Sequence, residues 1–92
     1  MQINVAIQLL PFGNDAEKYL IIDEAIALIQ KSGLKHLVCP FETVIEGKPE
    51  DVYELIEQIR QTALKRCTDV LINLKIHAAN RSLSFNEKLE KY

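Results

Sequence analysis

The side chains best suited to nucleophilic, acid–base or metal chemistry in this sequence are two histidines and two cysteines, namely His36, His77, Cys39 and Cys67. The histidines have no H-x-x-x-H partner, and the cysteines lack the C-x-x-C spacing of a redox or zinc motif. Cys39 follows His36 by three positions, and side chains three apart on a strand point to opposite faces. The spacing therefore predicts no catalytic residues and no metal site.

Two charged residues on β-prone segments are better placed for recognition than for proton transfer. Glu46 ends one such segment, and Lys75 lies on the last one. The three glycines stand alone at segment ends, so they form no phosphate-binding loop. Polar recognition, rather than nucleotide binding, is the chemistry that these residues favour.

Composition narrows the classes of partner. The 92 residues, with 48% hydrophobic and 26% charged side chains, predict one globular domain over 1–92, small enough to make self-association worth expecting. The net charge of -2 and the scattered basic residues argue against nucleic acid. No apolar run approaches the roughly 20 residues of a membrane span, and no secretory signal pattern is present, so we expect a cytoplasmic protein with no membrane partner.

Strands are predicted where apolar residues alternate or β-formers cluster. Alternation is clear over 3–9 and 70–76, and two β-prone segments, 35–41 and 43–46, follow each other closely enough to pair antiparallel. Pro40 must then lie at an edge, a bulge or a turn.

Helical spacing predicts two helices between these strands. A capping box of Asn14 and Glu17 opens the first helix and Gly33 ends it, whereas the second begins at Pro49. The order βαββαβ predicts an α+β, ferredoxin-like sandwich, in which both helices cover one face of a four-stranded antiparallel sheet. The residues expected on the buried side of the first helix are Tyr19, Ile22, Ala25, Ile26, Leu28 and Ile29.

A tail over 77–92 follows the last strand. Ser84 and Glu87 form a second capping box, which predicts a short C-terminal helix. Such a helix is too short to be stable alone, so it must dock on the body or on a neighbouring subunit, or else fray. Its apolar residues at helical spacing are Phe85, Leu89 and Tyr92.

Helices on one side leave the other sheet face uncovered. The strand alternation places these residues there: Ala6, Gln8, Leu71, Asn73 and Lys75. A mixture of apolar and polar side chains suits association or ligand binding better than a fully solvated face. Two interpretations stay open, an interface between copies of the chain and a ligand pocket where sheets meet.

Four short segments carry a family resemblance: VAIQLLP at 5–11, SGL at 32–34, TVIEG at 43–47 and LKI at 74–76. Their order and spacing resemble the YkoF-like family of thiamine and hydroxymethylpyrimidine binding proteins. The resemblance implies non-catalytic binding of thiamine or its pyrimidine half where sheets pair back to back in a homodimer or homotetramer, with no cofactor besides that ligand. The chain departs from the family pattern at Phe41-Glu42, where a small residue usually precedes the threonine, and in the tail after Ile76.

The ligand chemistry that the resemblance implies can be matched to side chains. An aminopyrimidine presents a ring-nitrogen acceptor beside an amino donor. Glu46 would accept from the amino group, and Gln8, Thr43 and Asn73 would complete the polar edge. The implied binding residues are Gln8, Phe41, Thr43, Glu46, Asn73 and Lys75.

The thiazolium cation of intact thiamine favours a carboxylate or an aromatic face, such as that of Phe12 or Phe41. Lys75 would repel this cation, yet it can hold a phosphate or a carboxylate, or serve as an interface charge. The alternative function is a regulatory or structural homo-oligomeric interaction module without a small-molecule ligand. A third hypothesis is a small enzyme that acts on a heterocycle with Glu46 or His36 as acid or base.

Overall fold

The predicted strands and helices assemble in the predicted order, and a short third helix follows them. The computed structural model describes residues 1–90. This is the ferredoxin-like α+β fold expected from the sequence. The elements in chain order are β1 (Ile3–Pro11), α1 (Asp15–Ser32), β2 (Lys35–Val38), β3 (Thr43–Gly47), α2 (Pro49–Ala63), β4 (Val70–His77) and α3 (Phe85–Leu89).

The four strands form one antiparallel sheet in the order β2-β3-β1-β4. β1 is central and pairs with β3 on one side and β4 on the other. Ala6, for example, lies opposite Val44 and opposite Lys75. Residues opposite one another share a sheet face, so this register decides which side chains can meet.

The hydrophobic core lies between the sheet and the helices α1 and α2. Alternation along β1 directs Ile3, Val5 and Ile7 to this side, where each is buried. Ile45 of β3 is fully buried beside them. The helices contribute Ala25, Ile29, Val52, Leu55 and Ile59 to the same cluster.

α1 begins and ends at the predicted residues, and Ala25 and Ile29 are buried as predicted, but the buried side differs from the prediction at Tyr19 and Ile21. Asn14 Oδ1 accepts a hydrogen bond from Glu17 N at 3.0 Å, and Gly33 ends the helix with a left-handed φ of 74°. Tyr19, predicted to be buried, is 71% exposed, whereas Ile21 is buried. The prediction was wrong because consecutive apolar residues at 20–22 fit more than one helix face.

The turn between β2 and β3 starts earlier than the sequence suggested. β2 ends at Val38, because Cys39 N donates to Glu42 O at 2.9 Å and so closes a turn that contains Pro40. α2 begins at Pro49 as predicted. None of the helices within residues 1–90 is both long and apolar enough to cross a membrane.

The predicted C-terminal helix is present as α3, and it docks on the body of its own chain. Ser84 Oγ accepts from Asn86 N at its start, and Phe85 is buried. Leu83 N donates to Gln2 O at 3.2 Å, which ties the segment to the start of β1. Tyr92, predicted to extend the helix, lies outside the described residues.

Candidate functional site

The sheet face opposite α1 and α2, called here the open face, carries four rows of side chains across the strands. Row one is His77, Asn4, Glu46 and Lys35, and row two is Lys75, Ala6, Val44 and Leu37. Row three contains Asn73 and Gln8, and row four contains Leu71 and Leu10. The alternation of polar and apolar rows divides the open face into distinct chemical zones.

The C-terminal segment covers row one and buries a carboxylate. Glu46 is 5% exposed, and its Oε1 accepts hydrogen bonds from Asn4 Nδ2 at 3.1 Å and from Phe85 N at 2.6 Å. Lys35 Nζ lies 3.7 Å from Glu46 Oε2. A buried carboxylate needs such donors, because leaving it unpaired would be costly.

The same segment places further polar contacts around this carboxylate. Lys88 Nζ donates to Asn4 Oδ1 at 2.6 Å, and Lys35 Nζ donates to Asn86 Oδ1 at 3.1 Å. Lys35 Nζ also lies 5.8 Å from the centre of the Phe85 ring. The structure therefore places Glu46 beneath α3, with the chain's own groups as partners, and apart from the other predicted ligand contacts.

Row three forms the floor of a cavity of about 280 Å³. Gln8 Oε1 accepts a hydrogen bond from Asn73 Nδ2 at 3.2 Å across the β1–β4 pair. Phe41, 84% exposed, and Lys75 also line the cavity, together with Glu42. Four of the six predicted binding residues thus meet at one place.

Glu42 is the residue of this cavity that the sequence prediction missed. Its Oε1 lies 3.8 Å from Lys75 Nζ, so the cavity contains one carboxylate and one ammonium group. Strand alternation back from Val44 placed Glu42 on the same face, and this signal was available in the sequence. The sequence analysis singled out Glu46 instead, from its position at the end of a β-prone segment and from the ligand chemistry that the resemblance implies.

A second, apolar cavity lies over row two, between the sheet and α3, with a volume of about 350 Å³. Lys75 borders this cavity as well as the one over row three, so the two are neighbours. The pair of cavities extends from the polar amides to an apolar wall. That wall includes Ala6, Leu37, Val44, Ile76, Phe85 and Leu89.

Thr43 faces the other side of the sheet. It lies opposite Ile7, is 8% exposed, and lines a third cavity of about 240 Å³ between α1 and the β2–β3 turn. Gln8, Phe41 and Glu42 line both this cavity and the one over row three, whereas Asn73 lines only the latter of the two. The expectation that Thr43 shares one polar edge with Asn73 is not met by this geometry. The reason is the period of two along β3, which sends Thr43 and Val44 to opposite faces.

The histidines and cysteines form no assembled chemical site within residues 1–90. His36 Nδ1 lies 2.9 Å from Leu34 O, and since a carbonyl only accepts, this nitrogen carries the proton. Cys39 and Cys67 are free thiols whose sulfurs lie near backbone carbonyls. No group of three or more His, Cys, Asp or Glu side chains in this part of the chain could hold a metal ion.

Two carboxyl groups with altered acidity lie on the helices. Hydrogen bonds from Arg60 and Gln61 lower the pKa of Glu57 to about 2, and a hydrogen bond from Arg66 lowers the pKa of Glu24. Glu24 belongs to α1 and Glu57 to α2, which cover the other face of the sheet. These shifts stem from surface ion pairs and mark no reactive group.

Comparisons with known proteins agree on one family. Residues 5–92 match the family model described as thiamine-binding protein. A UPF0045 protein of Clostridium perfringens is 31% identical over 90 residues, which are 97% of this chain and 95% of that protein. Among solved structures, a Streptococcus pneumoniae protein has 32% identity and a TM-score of 0.86, covering 98% of this chain and 99% of its own.

A further solved structure carries a functional description. It is a Thermotoga maritima protein assigned provisionally to thiamine biosynthesis or salvage. Its TM-score is 0.93 at 25% identity, and the match covers 100% of this chain and 99% of that one.

Proposed function

The chain belongs to the thiamine-binding protein family, and from this premise we propose that it binds thiamine or its hydroxymethylpyrimidine half on the open face without catalysing a reaction. The proposal places the ligand in the cavity over row three. One observation carries it, the paired amides of Gln8 and Asn73.

The amide pair offers the edge that an aminopyrimidine requires. Gln8 Oε1 and Asn73 Nδ2 are bonded to each other, which directs Gln8 Nε2 and Asn73 Oδ1 to other partners. Within residues 1–90 neither Gln8 Nε2 nor Asn73 Oδ1 has a hydrogen-bond partner, so both are available to a ligand. A donor beside an acceptor complements a ring nitrogen beside an amino group. In this arrangement Gln8 donates to the ring and Asn73 accepts from the amino group.

The surroundings of the amides fit the rest of the ligand. Phe41 offers an aromatic face to a planar ring or to the thiazolium cation, and the Glu42 carboxylate lies in the same cavity. The apolar cavity beyond Lys75 extends the available space. The volumes of about 280 and 350 Å³ are near the lower end of the range that small-molecule sites occupy.

Glu46 and Thr43 support this site from outside the cavity. Glu46 holds the C-terminal segment that forms one wall of the apolar cavity. Thr43 anchors the end of the β2–β3 turn, on which Phe41 and Glu42 lie. In the proposal both residues position the site and do not contact the pyrimidine edge.

We further propose that copies of the chain pair through their open faces, as a homodimer or homotetramer in the cytoplasm, and so close the cavities. Leu10 and Leu71 of row four are 40% and 50% exposed, and Leu37 of row two is 50% exposed. Apolar side chains grouped on one sheet face favour burial against a partner. Face-to-face pairing would remove water from the amides and strengthen their hydrogen bonds.

A titration followed by NMR tests the location of the site. Thiamine and hydroxymethylpyrimidine are added separately to ¹⁵N-labelled protein, and the side-chain amide signals of Gln8 and Asn73 are followed. The proposal predicts saturable shifts of both signals. Shifts confined to residues outside the open face would contradict it.

The exposed leucines also favour the second candidate function, a homo-oligomeric interaction module without a ligand. This function predicts that pairing closes the open face and leaves the cavity over row three inaccessible. The same NMR titration discriminates the two, because the module would assemble without responding to either compound.

A further inference from the structure

Among the charged groups on the open face, the pair of Glu42 and Lys75 is the one aimed at the proposed ligand cavity. Lys35 lies against Glu46 and donates to Asn86, and Lys88 donates to Asn4. Those two lysines belong to the network under α3. Lys75, by contrast, borders the cavity over row three.

The opposite charges of Glu42 and Lys75 leave the cavity over row three with no net charge. Lys75 Nζ lies 3.8 Å from Glu42 Oε1, and these are the two charged residues among the five that line the cavity. An ammonium group without this neighbour would attract a phosphate, whereas the carboxylate repels one. The side chain of Glu42 is 32% exposed and that of Lys75 is 81% exposed, so the attraction between them is weak and a ligand can displace it.

We propose that Glu42 determines the charge selectivity of this cavity, so that it accepts a neutral or cationic heterocycle and discriminates against the phosphorylated form. The inference rests on the proposed function, since it names the ligand class of that same site. Its physical basis is the position of one carboxylate, which attracts a cation, opposes an anion and offsets the charge of Lys75.

The test compares thiamine with thiamine monophosphate in the wild-type protein and in Glu42→Gln, which retains the shape of the side chain and removes its charge. The ratio of the two dissociation constants should shift towards the phosphate ester by roughly threefold to tenfold, as expected for one charge near a solvated ligand. Glu54→Gln is the matched control, because Glu54 is an exposed carboxylate on α2, and it should leave the ratio unchanged. An unchanged ratio in Glu42→Gln, or an equal shift in the control, overturns the inference.

A second variant tests the role of Lys75 directly. In the Glu42→Gln background, Lys75→Gln should reduce the gain in affinity for thiamine monophosphate, because the ammonium group that Glu42→Gln leaves unpaired is then removed, whereas the repulsion by Glu42 is already absent. A gain that Lys75→Gln leaves undiminished would contradict the inference that Glu42 offsets the charge of Lys75.

An independent arm uses inorganic pyrophosphate as the probe and NMR as the readout. Glu42→Gln should show saturable shifts at Asn73 and Lys75 that the wild-type protein lacks at the same concentration. Their absence overturns the charge-selectivity inference, even if thiamine binds. Failure of wild-type protein to bind either thiamine compound, with the pyrophosphate response present, overturns the proposed function and supports the charge selectivity.

Discussion

Gln8 and Asn73 lie 65 positions apart in the sequence and are hydrogen-bonded side by side on the open face, with Asn73 Nδ2 donating to Gln8 Oε1 at 3.2 Å. The antiparallel register of β1 and β4 brings them opposite each other. This bond orients both amides, because each is left with the complementary half of its hydrogen-bonding capacity. The pair thus acts as one preoriented recognition element.

Replacing Asn73 with Leu should weaken pyrimidine binding by about 1–3 kcal/mol, since the ligand amino group loses its acceptor and Gln8 loses its orientation. Titration calorimetry of both proteins measures the change. Gln58→Leu, an exposed amide on α2, is the control and should bind as the wild type does. Equal affinity of Asn73→Leu and the wild type would remove the amide pair from the site.

Replacing Glu46 with Gln should loosen the C-terminal segment. Phe85 N donates to this carboxylate at 2.6 Å in a buried setting, and a charge-assisted bond of this kind contributes about 1.5–3 kcal/mol. Faster hydrogen exchange of the amides at 83–89 and a lower free energy of unfolding are the expected results.

Glu54→Gln serves as the control for Glu46→Gln, because Glu54 is an exposed carboxylate on α2. Unchanged exchange at 83–89 in Glu46→Gln, combined with a large loss of ligand affinity, would instead assign Glu46 to direct ligand contact. That result would restore the expectation drawn from the family motif.

Stability in acid should depend on the ion pair between α1 and the segment after α2. The Arg66 guanidinium donates to Glu24 at 2.6 Å and lowers the pKa of that carboxyl from its ordinary 4.5. The unfolded chain then binds more protons than the folded protein, so the contribution is complete above pH 4.5 and is lost as pH falls through the lowered pKa.

Arg66→Gln should therefore destabilise the protein at neutral pH, and the difference from wild type should shrink below pH 4.5. Denaturant unfolding at several pH values measures this difference. Lys31→Gln, an exposed change in the last turn of α1, is the control and should give a difference that does not vary over the acid range. A difference in stability between Arg66→Gln and the wild type that stays constant over the acid range would contradict the assignment of this acid dependence to the Glu24–Arg66 ion pair.

Leu71→Asp should weaken self-association, because it puts a charge among the exposed leucines of the open face. Sedimentation velocity at several concentrations measures the assembly. Leu64→Asp adds the same charge at a 40% exposed leucine that follows α2, and it should leave assembly unchanged. An equal effect of Leu71→Asp and Leu64→Asp on self-association would argue against pairing through the open face.

Much of the fold could be predicted from local patterns. Alternation in β1 and β4, the Asn14 cap and the Gly33 stop each act over a few residues, so the sequence displays them directly. The buried side of α1 was predicted less well near its start, where Ile21 is buried and Tyr19 is exposed, because apolar residues at 20–22 occupy adjacent faces of the helix.

The candidate site was predictable only in part. Gln8, Asn73 and Lys75 followed from strand alternation, since a period of two assigns them to one face. The burial of Glu46 beneath α3 was not predictable, because its partner Phe85 N lies 39 positions away and no local pattern shows where that segment docks. Long-range contacts of this kind depend on tertiary packing, which periodicity does not encode.

The most direct measurement is isothermal titration of the purified protein with thiamine and, separately, with hydroxymethylpyrimidine, at a concentration where sedimentation has established the oligomeric state. The account predicts saturable heat with at least one compound, reduced in Asn73→Leu and retained in Gln58→Leu. Absence of binding by both compounds would contradict the proposed function and favour the interaction module.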